Sequence, residues 1–428
     1  MSPDRASLST QLVRPCRAVL ILLLISALPG VAPAQTTLVV ESWRDDDRTA
    51  WKDSIVPAFE AAHPEIRVEF RASPPTLYDA VLKARLQAGT AGDLIACRPF
   101  DGALTLYAAG HLADIGDLRG MDRFSGFARS AWQTDDRAVT FCMPVASVIH
   151  GFIYNRDAFR MLGLDEPDTE AAFFAMLERI RADGTWTPLA LGLRDRWEAA
   201  TMGYNNIGPT YWKGEEGRRA LVTGEQKLTD EPWVAPFRTL AKWGRYLGKG
   251  YETRSYRDSQ DLFVRGQAVV YPAGSWSIAD FKDRAGFEQG AFPPPVRKAG
   301  DACYISDHLD MAIGLNTASP DTQAARVFLR WLATVRFATL HATALPGFFP
   351  LSGHPLEIGD PLARTFLSWR GDCYSTIRFA AKWLSRGTPN LEQETWDAAV
   401  AAIRGTATAE ELGVRLQEGL ASWYEPHQ

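Results

Sequence analysis

An α/β architecture in two lobes is predicted by three observations. Strand-like runs alternate with amphipathic helical stretches from residue 37 onward, the chain has 428 residues, and its composition is that of an ordinary globular protein. Hydrophobic residues make up 46% and charged residues 23%. With no repeat or low-complexity tract after residue 34, these values exclude disordered, collagen-like and coiled-coil chains. At about 150 residues per domain the length calls for two or three domains, each large enough to need no metal or disulfide staple.

Residues 1–34 stand apart. Arg5, Arg14 and Arg17 precede an apolar run from Ala18 to Leu28 that ends at Ala32-Pro33-Ala34, the pattern of a secretory signal peptide removed after Ala34. The run is too short for a spanning helix, which needs about 20 residues. Cys16 lies upstream of it and so cannot be a lipid-anchoring cysteine. Loss of this segment removes three Arg and one Asp and moves the formal charge from −5 to −7, which leaves no basic surface for nucleic acid. An exported, soluble protein is expected. Cys97, Cys142, Cys303 and Cys373 are too scattered for a zinc site; disulfides and buried thiols both stay open, as do the three ways of pairing four cysteines.

Thr37 to Val40 is β-prone and leads into a polar loop with Trp43 and the string Asp45, Asp46, Asp47. Trp51, Ile55, Ala58, Phe59 and Ala62 recur at helical spacing until His63-Pro64, after which residues 66–70 alternate as a strand. Leu77 to Ala88 is a helix ended by Gly89, residues 93–97 a strand, and Gly102 to Ala109 the next helix. Such β-α-β repetition predicts a mainly parallel sheet. Ligands bind outside the carboxyl ends of its strands, which places Trp43 and Arg98 on the binding edge. A second lobe begins near the strand Val148 to Tyr154. It holds helices over 156–162 and 169–181, an aromatic-rich helical region from Trp186 to Gly250, and a strand over 267–271 that runs into Ala273-Gly274-Ser275-Trp276. Met311 to Leu315 is a strand, and Thr322 to Leu332 a helix with Asp321 as its expected capping residue.

The seven histidines include no pair at i, i+3 or i+4 and no HExxH, so no metal is expected. Asp45–Asp47 lacks the alternation and glycine of a calcium loop. GxSxG, GxxxxGK[ST] and a GxGxxG after a strand are all missing, so no cofactor is expected and most hydrolase and nucleotide chemistry loses its anchor. A secreted glycoside hydrolase with paired carboxylates stays open. The 14 tryptophans offer flat apolar faces to sugar rings. Trp243, Trp331, Trp369 and Trp423 lie on amphipathic helices and are assigned to packing. Trp43 and Trp276 follow strands and are assigned to ligand, and Asn205 is a candidate amide contact by its place in the second lobe.

The order and spacing of TLVVESW, IVPAFEAAHPEIRVEF, GDLIACR, YAAGHLADI, MPVASVIHGFIYNRDAF, LFVRGQAVVYPAGSW and AIGLNTASPDTQAARVFLRWL resemble the periplasmic solute-binding proteins of carbohydrate ABC transporters, the family that includes maltose- and glucose-binding proteins. The likeness runs from about residue 37 to the end. It implies two α/β lobes, residues 35–146 plus 310–347 and 147–309 plus 348–428. Strands cross between them near Pro144–Ser147, Ser306–Met311 and Pro346–Pro350, and the lobes close over a ligand. It implies a non-enzymatic, monomeric periplasmic receptor that takes a mono- or small oligosaccharide and delivers it to an ABC permease. A polyamine, organic acid or glycerophosphodiester is the alternative cargo. Position by position, the resemblance makes Trp43, Trp276 and Trp396 cleft aromatics, Arg98 a polar cleft residue and Asp307 the acid that bonds a sugar hydroxyl. Pro346 stands where a glucose-binding relative has lysine, which counts against glucose and leaves Phe348 to offer an apolar face or to pack. Phe59 and Phe159 are expected in cores.

Overall fold

Leu38 and Val40, the inward pair of the TLVV run, are fully buried in β1 (Thr36–Ser42), the first strand of the computed structural model. The structure describes residues 35–428, so the expected signal peptide, Cys16 and the Ala34 cleavage point lie outside the described residues. β1 pairs in parallel with β2 (Ile66–Ala72) and β3 (Leu94–Cys97). The helical segment between β1 and β2 packs Trp51, Ile55 and Phe59 inward, with a π-helical turn over Trp51–Ile55. The helix Tyr78–Ala88 stops at Gly89, whose φ of +68° is the left-handed conformation that glycine adopts at least cost.

The remaining strands are β4 (Met143–Asn155), β5 (Thr187–Leu189), β6 (Ala268–Gly274), β7 (Gln289–Phe292), β8 (Tyr304–Leu315), β9 (Phe349–Pro350) and β10 (Tyr374–Thr376). Their order is β2-β1-β3-β8-β4-β6-β5, with β10 added to β8 and with β7 and β9 added to β4. The outer pairs β1/β2, β1/β3, β5/β6 and β8/β10 are parallel, whereas β3/β8 and every pair made by β4 are antiparallel. The sheet is therefore mixed rather than mainly parallel, because two long strands, β4 and β8, run against each other through its middle.

Both are longer than the sequence predicts. All 13 residues of β4 are buried. β8 begins at Tyr304 rather than Met311 because Ser306, Asp307, His308 and Asp310 interrupt the apolar run yet are buried in the strand. The three segments expected to cross between lobes lie side by side, Ala146 pairing with Met311 on one edge and Pro350 on the other, at a point where the register of β4 shifts.

The cysteines form two bridges, Cys97–Cys142 and Cys303–Cys373. Phe59, Phe159, Trp243, Trp331 and Trp369 are buried as expected. Trp423 is half-buried and donates to the Pro389 carbonyl. The helix Thr322–Leu332 starts as predicted, but the Asp321 side chain makes no capping bond; instead the Ser319 hydroxyl accepts from the Asp321 N–H. No helix among the described residues is long and apolar enough to cross a membrane.

Candidate functional site

The parallel strands β1 and β3 end side by side, so the loops that follow them carry Trp43, Arg44 and Arg98 to one edge of the sheet. Facing them are Trp276, two residues beyond the end of β6 at the start of the helix Ser277–Arg284, and Trp396 on the helix Leu391–Arg404. Together with Asn205, His308, Asp310 and Arg378 these side chains line a cavity of about 1040 Å³. That is at the upper end of small-molecule sites and larger than one sugar ring requires.

Five of the seven residues picked from the sequence, Trp43, Arg98, Asn205, Trp276 and Trp396, line this cavity. Their surroundings refine the roles expected of them. The Arg98 guanidinium lies 4.9 Å from the Trp43 ring centroid, donates from Nε to Asp79 at 2.9 Å and from Nη2 to the Pro75 carbonyl at 2.9 Å. One face of Trp43 is thus covered by a cation that is itself held by the chain. Trp276 is oriented by its Nε1–H, which donates to the Tyr256 hydroxyl at 3.0 Å, and by the edge of His150 at 5.3 Å. Asn205 Oδ1 and Trp396 Nε1 are buried without partners.

Asp307 and Phe348 are placed elsewhere. Side chains alternate across β8, so His308 and Asp310 face the cavity while Asp307 faces away. Asp307 accepts from Arg370 Nε and Nη2, both at 2.8 Å, and from the Ser375 hydroxyl at 2.9 Å, a structural ion pair rather than a ligand contact. Phe348 is 2% exposed and lies behind the cavity, its ring centroid 4.5 Å from the Arg44 guanidinium, so it packs. The signal for Asp310 was present in YISDHLD: two aspartates three apart on a strand point to opposite faces, and only one can meet a given cavity. Arg44 and Arg378 carried no such signal, being single arginines in irregular chain.

Arg44 donates to both carboxylate oxygens of Asp47, from Nε at 2.5 Å and from Nη2 at 2.9 Å. Burial works against its charge, but Asp47, Asp310 and Asp46 outweigh that and hold it protonated. Burial pushes the Asp46 carboxyl up to about 6 against the pull of Arg44, and burial also raises Asp310 against Arg44, Arg378 and Arg98. Arg378 is depressed by burial, with Glu392 as its ion-pair partner at 3.5 Å. His150 Nε2 meets His308 Nε2 at 3.0 Å; burial and the nearby Arg378 push His150 down to about 3 and His308 well below its usual value, which keeps the pair neutral. Among the described residues no group of three or more His, Cys, Asp or Glu is arranged to hold a metal ion. The cavity offers aromatic faces, buried amide and indole groups, and carboxylates, a set suited to binding a polyhydroxylated molecule.

A curated relative, the multiple sugar-binding protein of Streptococcus mutans serotype c, is 22% identical over 315 residues, 71% of each chain. The solved structure of a sugar transporter from Bacillus licheniformis in complex with stachyose matches at a TM-score of 0.71 and 16% identity, covering 90% of this chain and 99% of that one. The solute-binding protein RafE in complex with raffinose matches at 0.73 and 20%, covering 92% and 100%. These structures share the two-lobed fold. The model of the bacterial extracellular solute-binding protein family matches residues 44–336, from Arg44 in the cavity lining to the start of the helix Val335–Ala344, and this chain belongs to that family.

Proposed function

We propose that the chain is the receptor subunit of an ABC importer, a non-enzymatic monomer acting in the periplasm, and that it captures a small oligosaccharide in the cavity between two lobes. The observation that carries this reading is the cavity itself: about 1040 Å³, with Trp43, Trp276 and Trp396 brought from three separate elements around buried polar groups. The sugar-binding names of the matched relatives support the ligand class. The lobes are residues 35–146 plus 310–347 and 147–309 plus 348–428, hinged where β4, β8 and β9 adjoin. A ligand touching both lobes favours their closure by its differential contact, and a permease would distinguish the closed form.

Thermal unfolding of residues 35–428 against a panel of oligosaccharides, polyamines, organic acids and glycerophosphodiesters tests the reading. A ligand at 100 times its dissociation constant adds about 2.7 kcal/mol. A saturable shift with one oligosaccharide class and no release of product supports the receptor; turnover of the sugar would make the chain a hydrolase, and a shift confined to the anionic ligands would change the cargo.

A further inference from the structure

Three arginines of the cavity lining, Arg44, Arg98 and Arg378, each face a carboxylate. Arg44 is bonded to Asp47 and Arg98 to Asp79, and Arg378 forms an ion pair with Glu392 at 3.5 Å while its buried Nε keeps no partner. Asp46 and Asp310 also line the cavity, and among the described residues neither takes part in a side-chain hydrogen bond or ion pair. Asp310 is 9% exposed, and its Oδ2 is fully buried without a partner. The cations of the lining that lack a carboxylate partner, Lys83 and Arg194, are exposed, where solvent screens them. Asp46 and Asp310 therefore stand in the cavity lining as two carboxylates with no cation bonded to them, in a place that a bound ligand would dry further. A sugar hydroxyl would donate a hydrogen bond to such a carboxylate but leave its charge uncompensated, whereas an ammonium would do both.

We infer that the oligosaccharide this cavity takes carries a protonated primary amine, as in an oligomer of 2-amino-2-deoxyhexose, and that Asp310 and Asp46 neutralise it. This rests on the oligosaccharide reading above and narrows it. Burial raises the affinity of both carboxyls for protons against the pull of Arg44, so each is costly to hold ionised without a further cation beside it. The aromatic walls distinguish such a ligand from a simple polyamine, which would leave the faces of Trp276 and Trp396 without a ring to cover.

The test is titration calorimetry at pH 7 on residues 35–428 with glucose- and galactose-configured oligomers of one length, each as the 2-hydroxy, 2-acetamido and 2-amino form. The amino form is expected to bind about tenfold more tightly than its hydroxy counterpart, the difference between a charged and a neutral hydrogen bond. That preference should collapse in Asp310→Asn and, independently, in Asp46→Asn, so that a folding defect in one variant does not remove the test. Equal or tighter binding of the hydroxy or acetamido form overturns the charge assignment and leaves the oligosaccharide reading intact. Binding of a linear diamine with no oligomer bound overturns both.

Discussion

Asp307→Asn separates a residue that holds the fold from one that would hold a ligand. Asp307 accepts two bonds from Arg370 and one from Ser375. Asparagine keeps one acceptor oxygen and turns a nitrogen toward a cation, so at least one charge-assisted bond is lost and a donor faces a donor. Hydrogen bonds to charged groups contribute about 1.5–3 kcal/mol. The Arg370 side chain is 35% exposed and Nη2 keeps its bond to the Ser147 hydroxyl, so water and Ser147 offset part of the loss, leaving about 2 kcal/mol. For the chain from Gln35 to Gln428 the unfolding entropy is roughly 0.8 kcal/mol/K, so the midpoint should fall by about 2–3 °C. Calorimetric melting reads that shift, and titration with whichever oligosaccharide stabilises the wild type should give an unchanged dissociation constant. Asp310→Asn should do the reverse, weakening binding with no loss of melting temperature. An unchanged midpoint with a tenfold loss of affinity for Asp307→Asn would refute the assignment of Asp307 to the scaffold.

The Asp46 carboxyl, raised from 3.8 to about 6 by burial, holds a proton that the unfolded chain has already lost. Its contribution is favourable below about pH 4 and disappears as pH rises through 6. The melting temperature of the wild type should drop relative to Asp46→Asn across that window, and parallel curves would mean that Asp46 is well hydrated. A Cβ at Gly274 would stand 1.9 Å from the Trp276 ring, so Gly274→Ala should displace that indole and weaken ligand binding about tenfold or more; calorimetric titration with an unchanged affinity would show that Trp276 does not touch the ligand. Cys303–Cys373 closes 70 residues and Cys97–Cys142 closes 45. Replacing either pair by serine should lower stability by about 2–4 kcal/mol in denaturant titrations, and no change would argue that the bridge adds nothing to the folded state.

Much of the first part of the fold could be read from the chain because its signals are local. The helix 156–162, the helix 322–332 and the strand–helix alternation before residue 110 all follow from apolar spacing and from stops at Gly or Pro, and the structure reproduces them within a residue or two. The long strands were read short because burial of polar residues in β8 depends on partners far away in sequence: Asp307 finds Arg370, and His308 finds His150. The cavity was legible where a residue directly follows a strand, as Trp43, Arg98 and Trp276 do. It was not legible where facing depends on strand parity or on a loop's path. Asp307 and Asp310 differ only in which side of β8 they occupy, and Phe348 turns behind Arg44 because Gly347, at φ +94°, brings the chain against the Ser275 carbonyl.

The pairing of β4 with β8 joins residues 158 to 170 positions apart, from Ile149 with Asp307 to Met143 with Ile313. His150–Asn155 of β4 find main-chain partners in β6 and β7, but Met143–Ile149 lack theirs until β8 has been made as far as Ile313. Loop closure over such a distance precedes any gain from the contacts it permits, so the central sheet assembles late and slowly. Were the chain threaded unfolded through a translocation pore, as the proposed periplasmic receptor would be, this delay would be an advantage. The order of strands along the chain postpones the β4–β8 pairing until nearly three-quarters of the sequence has emerged, and a chain truncated before β8 would expose Met143–Ile149 as an open, aggregation-prone edge.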